Sequence, residues 1–243
     1  MKTLRIILLS VIATALSFSV RAQEAGKLPF TGTVQYRIAY ESETVPAEQL
    51  AQQPAIAKLQ MALDKVIFSM AENKILADAN THQVHTLVNL SAYGLGKYHL
   101  LQNEAELQEQ FAELSDIKIE PTEETKDIFG YTAKLVKGGY KAGNTPIALD
   151  IWIVENFCDP FFVSVTQAEI PGLQGFPLEY TVKTPDMTMT FTAHKLTYEE
   201  LSPKTFNIPS SYKASTEEQL QKDIMEFMQQ IQEMQEMQQG MGM

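Results

Sequence analysis

Apolar and polar positions alternate along most of the chain, and the clearest stretch comes first. Over residues 30–40, Phe30, Gly32, Val34, Tyr36, Ile38 and Tyr40 fall on one face, with Thr31, Thr33, Gln35, Arg37 and Ala39 on the other. A period of two held this long predicts a half-buried β-strand, because successive side chains of an extended backbone point to opposite sides. Val66, Phe68 and Met70 resume the rhythm; Glu72, Asn73 and Lys74 suit a hairpin turn, and 74–79 suit the return strand. Residues 82–91 are a further candidate, with Val84, Thr86, Val88 and Leu90 on one face, and 97–102 follow Gly94 and Gly96. Downstream, 117–120, 133–136, 149–154, 161–166, 178–183 and 187–196 suit strands, separated by turn formers such as Gly138-Gly139, Gly143-Asn144, Asp159-Pro160 and Pro185-Asp186.

Three segments break the alternation. Over 46–64, Ala, Gln, Leu and Lys dominate; Pro46 can open a helix and Pro54 interrupts it, which predicts two helical pieces, the second over 55–65. Residues 104–114 are rich in Glu, Gln, Ala and Leu and predict a short surface helix. Residues 214–243 are a Met- and Gln-rich C-terminal helix: Ser215 and Glu218 have capping-box spacing, and Leu220, Ile224, Phe227, Ile231 and Met234 follow in steps of four and three. Two heptads are marginal alone, so this helix docks on something or frays.

The fold class that follows is α+β, mainly β. About ten strands joined by short turns imply antiparallel pairing, and a sheet that long does not stay flat. It curls into a half-barrel whose concave face is apolar, the natural ligand site of such a shape. The expected division is a signal peptide over 1–22, a curved antiparallel sheet domain over 23–213 and the C-terminal helix over 214–243.

The first segment sets the compartment. Lys2 and Arg5 precede an apolar run over 6–20, and Val20-Arg21-Ala22 permits cleavage after Ala22. The run is short for a membrane span, which needs ~20 apolar residues, and no later segment is apolar enough; an uncleaved anchor is the alternative. A periplasmic location is expected. No Cys stands at the cleavage site, so lipid attachment there is not expected, and the single Cys158 excludes an internal disulfide. The chain has 19 basic residues against 30 acidic, a net charge of −11 over 243 residues. That excess of acid argues against a nucleic-acid partner, which needs a basic face, and the composition excludes collagen and full disorder.

Chemical candidates are few. Met225/Met228 and Met234/Met237 are spaced i, i+3, and Met241 and Met243 follow; thioethers suit Cu(I), and a flexible apolar stripe is the plainer reading. His82 and His85 point to opposite faces if both lie in a strand, His99 and His194 are isolated, and Cys158 has no His partner in sequence. Pairs such as Glu123-Glu124, Glu199-Glu200 and Glu217-Glu218 invite a hydrolase reading, but adjacent acids in so acidic a chain are usually solvated. P-loop, GxGxxG, GxSxG and HExxH motifs are missing from the sequence. No enzyme activity, cofactor or metal is expected. The apolar run over 152–176 is either sheet core or the wall of an apolar cavity, and Trp152, Phe161, Phe162 and Phe176 are the candidate ligand-binding residues.

Five stretches carry a resemblance: Phe30-Thr-Gly-Thr-Val-Gln-Tyr36, Thr125-Lys-Asp-Ile-Phe-Gly-Tyr131, Ile151-Trp-Ile153, Ile170-Pro-Gly-Leu-Gln-Gly-Phe-Pro-Leu-Glu-Tyr180 and Phe206-Asn-Ile-Pro209. In order and spacing the chain resembles the GLPGLI-type periplasmic family of unknown function across roughly 30–213, though Gln174 and Phe176 depart from the usual Gly-Leu-Pro-Gly-Leu-Ile string. The resemblance implies a fold similar to the outer-membrane lipoprotein carriers, whose concave face receives acyl chains and which use an inward arginine on an early strand. Arg37 lies on an early strand but in the polar register, so that role is not carried over. The expected function is a non-enzymatic periplasmic protein binding a lipid or lipoprotein acyl chain. An envelope interaction module working through 214–243 is the alternative, and an envelope hydrolase a third reading.

Overall fold

Among the described residues, twelve strands form one open, curved sheet. The computed structural model describes residues 28–240 apart from 113, 167 and 169. The signal peptide read over 1–22, and Met241 and Met243, lie outside the described residues, as do the side chains of Met234 and Met237.

The first strand, β1 (Gly32–Glu41), is the spine. Val34, Tyr36 and Ile38 are buried and Arg37 is exposed, as the alternation predicts. One edge of β1 starts a meander through β2 (Ile56–Met61), β3 (Lys65–Met70), β4 (Asn73–Asp78), β5 (Gln83–Asn89) and β6 (Lys97–Asn103). Its other edge receives the end of a second meander, formed by β7 (Leu114–Ile128), β8 (Tyr131–Ala142), β9 (Thr145–Val154), β10 (Phe176–Lys183) and β11 (Thr188–Tyr198). All these pairings are antiparallel; only the short β12 (Lys213–Ser215), against β6, is parallel.

The connection between the meanders shows how strongly the sheet curls. β6 and β7 lie near opposite edges of the sheet, yet a single short helix, α2 (Glu104–Ala112), joins them and packs against both. Nine helical residues span roughly 14 Å. The two edges must therefore come round to within that reach. The sheet stays open, because α2 bridges the gap where a closed barrel would have hydrogen bonds.

Four local expectations need correction. The segment 55–65 is not a helix. Only α1 (Ala47–Leu50) is helical there, and 56–61 is β2, with Ala57, Leu59 and Met61 buried against β1. Helix-forming composition loses to period-two burial and to the open hydrogen-bonding edge of β1. The segment 161–166 is not a strand but a 3-10 helix, Pro160–Val165, because Asp159 accepts the Phe161 N–H at 2.9 Å and Pro160 starts the turn. The third helix, α3 (Glu217–Gly240), is capped by Thr216, whose hydroxyl accepts the Gln219 N–H at 3.2 Å; Ser215 ends β12 instead. The strands expected over 117–120 and 133–136 extend into the 15 residues of β7 and the 12 of β8.

The apolar interior lies inside the curl, and the long connection between β9 and β10 crosses it. Phe157 is fully buried; it stacks on Phe30 with ring centroids 4.9 Å apart, stacks on Phe176 at 5.5 Å, and meets Tyr131 edge-on at 5.1 Å. Truncating so large a buried ring leaves a cavity that its neighbours cannot fill. Phe157→Ala should lower stability by about 3–5 kcal/mol, read as a shift in the urea unfolding midpoint at unchanged slope.

Candidate functional site

The site is built from the connection over 155–175 and the strands under it. After β9 the chain turns at Asn156, whose φ of 56° lies in the left-handed region that Asn tolerates. It then runs across the hollow, where the 3-10 helix packs against β3, β4 and β10. Phe162, Val163 and Val165 are buried there. The chain returns over β8, where Ile170 lies against Gly138; a Cβ at Gly138 would stand 3.2 Å from Ile170 Cδ1. It next passes Ile119 of β7 at Gly172, whose φ is 90°. The concave face expected to be open is thus occupied by the chain's own apolar side chains. The physical reason is exposure: an inner face carrying Tyr36, Phe68, Ile151 and Phe191 cannot be left to water without large cost.

The four predicted site residues do not share a wall. Phe162 and Phe176 are 0% and 2% exposed and belong to the core. Phe161 is half-buried and stacks on the His82 ring at 5.1 Å, while His82 Nδ1 meets Glu104 Oε2 at 2.9 Å. Trp152 alternates with buried Ile151 and Ile153 and so faces away from them. Lys126 Nζ lies 4.3 Å from its ring centroid and pairs with Glu179.

A smaller space remains beneath the loop Gly172, Leu173 and Gln174. It has a volume of about 370 Å³ and an apolar floor of Ile119, Pro121, Leu135, Val136 and Ile153. Its rim holds Glu123 and the ion pair of Lys134 with Glu155, 2.8 Å apart. A second hollow of about 330 Å³ shares Glu155 and Gln174 with the first and reaches Cys158. Each is at the lower end of the range for small-molecule sites, ~300–1,000 Å³. Burial, and then the charge of Asp159, push the Cys158 thiol well above its ordinary value, so it stays protonated and is a poor nucleophile. Among the described residues no group of three or more His, Cys, Asp or Glu is gathered as metal ligands would be. The pocket thus presents apolar area on its floor and charge at its rim.

Three of the five resembling segments line the pocket, and a fourth, 30–36, contacts Phe157 and the third of them. Phe30 stacks on Phe157, and the Tyr36 hydroxyl donates to the Pro177 carbonyl at 3.1 Å. Thr125 and Ile153 line the pocket, and Gly172, Leu173 and Gln174 roof it. Residue spacing alone could not reveal this, since contacting residues such as Tyr36 and Pro177 are 141 positions apart.

Sequence reasoning also missed a histidine pair. His85 on β5 and His99 on β6 are diagonal neighbours across the ladder, Nδ1 to Nε2 2.9 Å apart, with rings stacked at 5.1 Å. Burial lowers the His85 pKa, and repulsion from His99 and Lys65 adds to it against the pull of Asp78; burial also lowers His99.

No protein-family model matches the chain, and no curated protein matches it. Among solved structures, PNGF-II in its C2 crystal form is similar with a TM-score of 0.51 at 13% identity, over 80% of this chain and 33% of that one. Its P21 form is similar at a TM-score of 0.47 and 13% identity, over 80% and 33%. The Mycobacterium tuberculosis lipoprotein LppX is similar at 0.31 and 8%, over 71% of this chain and 90% of that one. The first likeness shows a shared fold and nothing further, and this chain spans about a third of the PNGF-II chain.

The histidine pair gives a pH dependence of defined sign. Both native-state values lie below the ordinary imidazole value of 6.5. The folded state therefore binds fewer protons than the unfolded one just below that pH. The stability this pair contributes is complete above about 6.5 and is lost as pH falls through the lower native values. The melting temperature should fall between pH 7.5 and pH 5, a window above ordinary carboxylate titration. The double variant His85→Gln, His99→Gln should show a shallower fall.

Proposed function

We propose that this protein is a non-enzymatic, exported binding protein for an apolar ligand carrying an acyl chain, taken up beneath the loop of Gly172, Leu173 and Gln174. The observation that carries the reading is the apolar floor of the 370 Å³ pocket at a break in an otherwise filled hollow. Each methylene moved from water to such a floor contributes ~0.8 kcal/mol. The rim of Lys134, Glu155 and Glu123 suits the polar end of the molecule. Full accommodation of a long chain requires the 155–175 segment to lift from β8.

The export pattern over 1–22 places the protein in the periplasm in this reading, with cleavage after Ala22. Among the described residues no helix is long and apolar enough to cross a membrane. Membership of the GLPGLI-type family belongs to the same reading, supported by the order and spacing of the five resembling segments.

Titration with a fluorescent fatty acid, together with native mass spectrometry after mild extraction, tests this. One equivalent should bind. Leu173→Asp, which puts a carboxylate in the roof of an apolar site, should weaken binding at least about fivefold, since an unpaired polar group there costs ~1–3 kcal/mol. Its far-UV spectrum should be unchanged, because Leu173 is only partly buried on a loop. A clean apo mass across preparations with no fatty-acid uptake rejects the proposal, as does wild-type affinity in Leu173→Asp.

A further inference from the structure

We propose that His85 of β5 and His99 of β6 form a two-histidine chelate for a divalent transition metal, Cu(II) above all, on the outer face of the sheet. This stands apart from the pocket and its ligand. Val84 belongs to the core inside the curl, so His85, the next residue of the strand, faces outward. Strand pairing fixes its surroundings. His85 lies opposite Leu76 on one side and Leu101 on the other, and His99 lies opposite Leu87. The two histidines are diagonal neighbours on strands paired from Gln83 to Asn89, so their backbones are held in place before any ion arrives. Leu76 and Leu87 are 4% and 1% exposed, while both imidazoles are only half-buried. The rings therefore stand beside apolar neighbours and remain reachable from solvent.

The spacing of the ring nitrogens points to the ion. His85 Nδ1 and His99 Nε2 are 2.9 Å apart, with the rings stacked at 5.1 Å. A contact of that length between two ring nitrogens admits one proton at most, so at least one of them presents a lone pair. Two imidazoles on adjacent corners of a square-planar ion, each at roughly 2.0 Å, stand roughly 2.8 Å apart; on a tetrahedral ion they stand roughly 3.3 Å apart. The pair is close to the first separation. Square-planar nitrogen sites suit Cu(II) and Ni(II), and Cu(II) binds the more tightly. Entry of the ion needs a small turn of both rings to aim the lone pairs at one point. The shared proton moves to the far nitrogen of the ring that carried it, so both rings stay neutral, and water fills the remaining corners. Asp78 follows in the same diagonal row, opposite Gln83, and is held by Lys65 at 3.1 Å and by the Asn80 N–H at 2.9 Å. Lys65 and Asp78 offset each other locally, and the net charge of −11 favours a cation. His82 is not part of the set, because Glu104 and the Phe161 ring already engage it.

Titration of the tag-free, metal-stripped protein with Cu(II) sulfate, without a reductant, tests this. Thioethers suit Cu(I), so those conditions set the methionines of α3 aside. One equivalent should bind, with two imidazole nitrogens visible in the electron paramagnetic resonance spectrum, and should raise the melting temperature. His85→Asn and His99→Asn should each weaken binding at least about tenfold, because losing even an outer-shell partner of a metal lowers affinity about 10–100-fold. His82→Asn should bind like wild type. Absence of stoichiometric uptake overturns the proposal, as does wild-type affinity in the double variant His85→Asn, His99→Asn. A wild-type spectrum with fewer than two imidazole nitrogens also overturns it, and that reading needs no variant to fold.

Discussion

The whole structure depends on covering the inner face of one curled sheet. A twelve-stranded sheet with an apolar side must bury that side, and this protein does so from within. The connection over 155–175 leaves the sheet after β9, crosses to β3 and β4, and returns over β8 and β7 to start β10. Phe157 and Phe162 anchor it by complete burial. The curl itself is held where α2 bridges β6 and β7. These two features need each other. Without the bridge the sheet would open and expose its filling; without the filling the curl would enclose a void, which close packing does not tolerate.

The filling also defines what is left for a ligand. Where the returning chain meets β7, β8 and β9, the packing thins to a pocket with an apolar floor and a charged rim. The rim pair of Lys134 and Glu155 is about half exposed on both sides, so its contribution to stability is small, ~0–1 kcal/mol. It serves better as a polar collar than as a brace. The buried thiol of Cys158 and the buried hydroxyl of Tyr36 are both pushed toward their neutral forms by burial.

The helix α3 follows a different logic. It begins beside β6, at the opposite end of the strand order from β7 and its pocket. Its polar face is charged; on its apolar side Ile224 and Met228 are exposed and Phe227 and Ile231 half-buried. A sheet that fills its own hollow leaves no groove for this helix, so the stripe is free to meet another surface.

The chain's local chemistry by itself determined the mainly-β class, the register of β1, the short helix after residue 104 and the apolar stripe of α3, because each rests on a periodicity that neighbouring residues enforce. The exposed Arg37 between buried Tyr36 and Ile38 was legible for the same reason. Tertiary structure decided the rest. Residues 56–61 became a strand because β1 offered an unpaired edge, which no window around Leu59 reveals. Pro160–Val165 became a 3-10 helix lying across the hollow, so Phe162 and Phe176 entered the core while Trp152 turned to the other face. The His85–His99 pair and the pocket between Ile119, Leu135 and Leu173 bring together residues far apart in sequence. Alternation states which side of a strand is buried; only the path of the folded chain states what buries it.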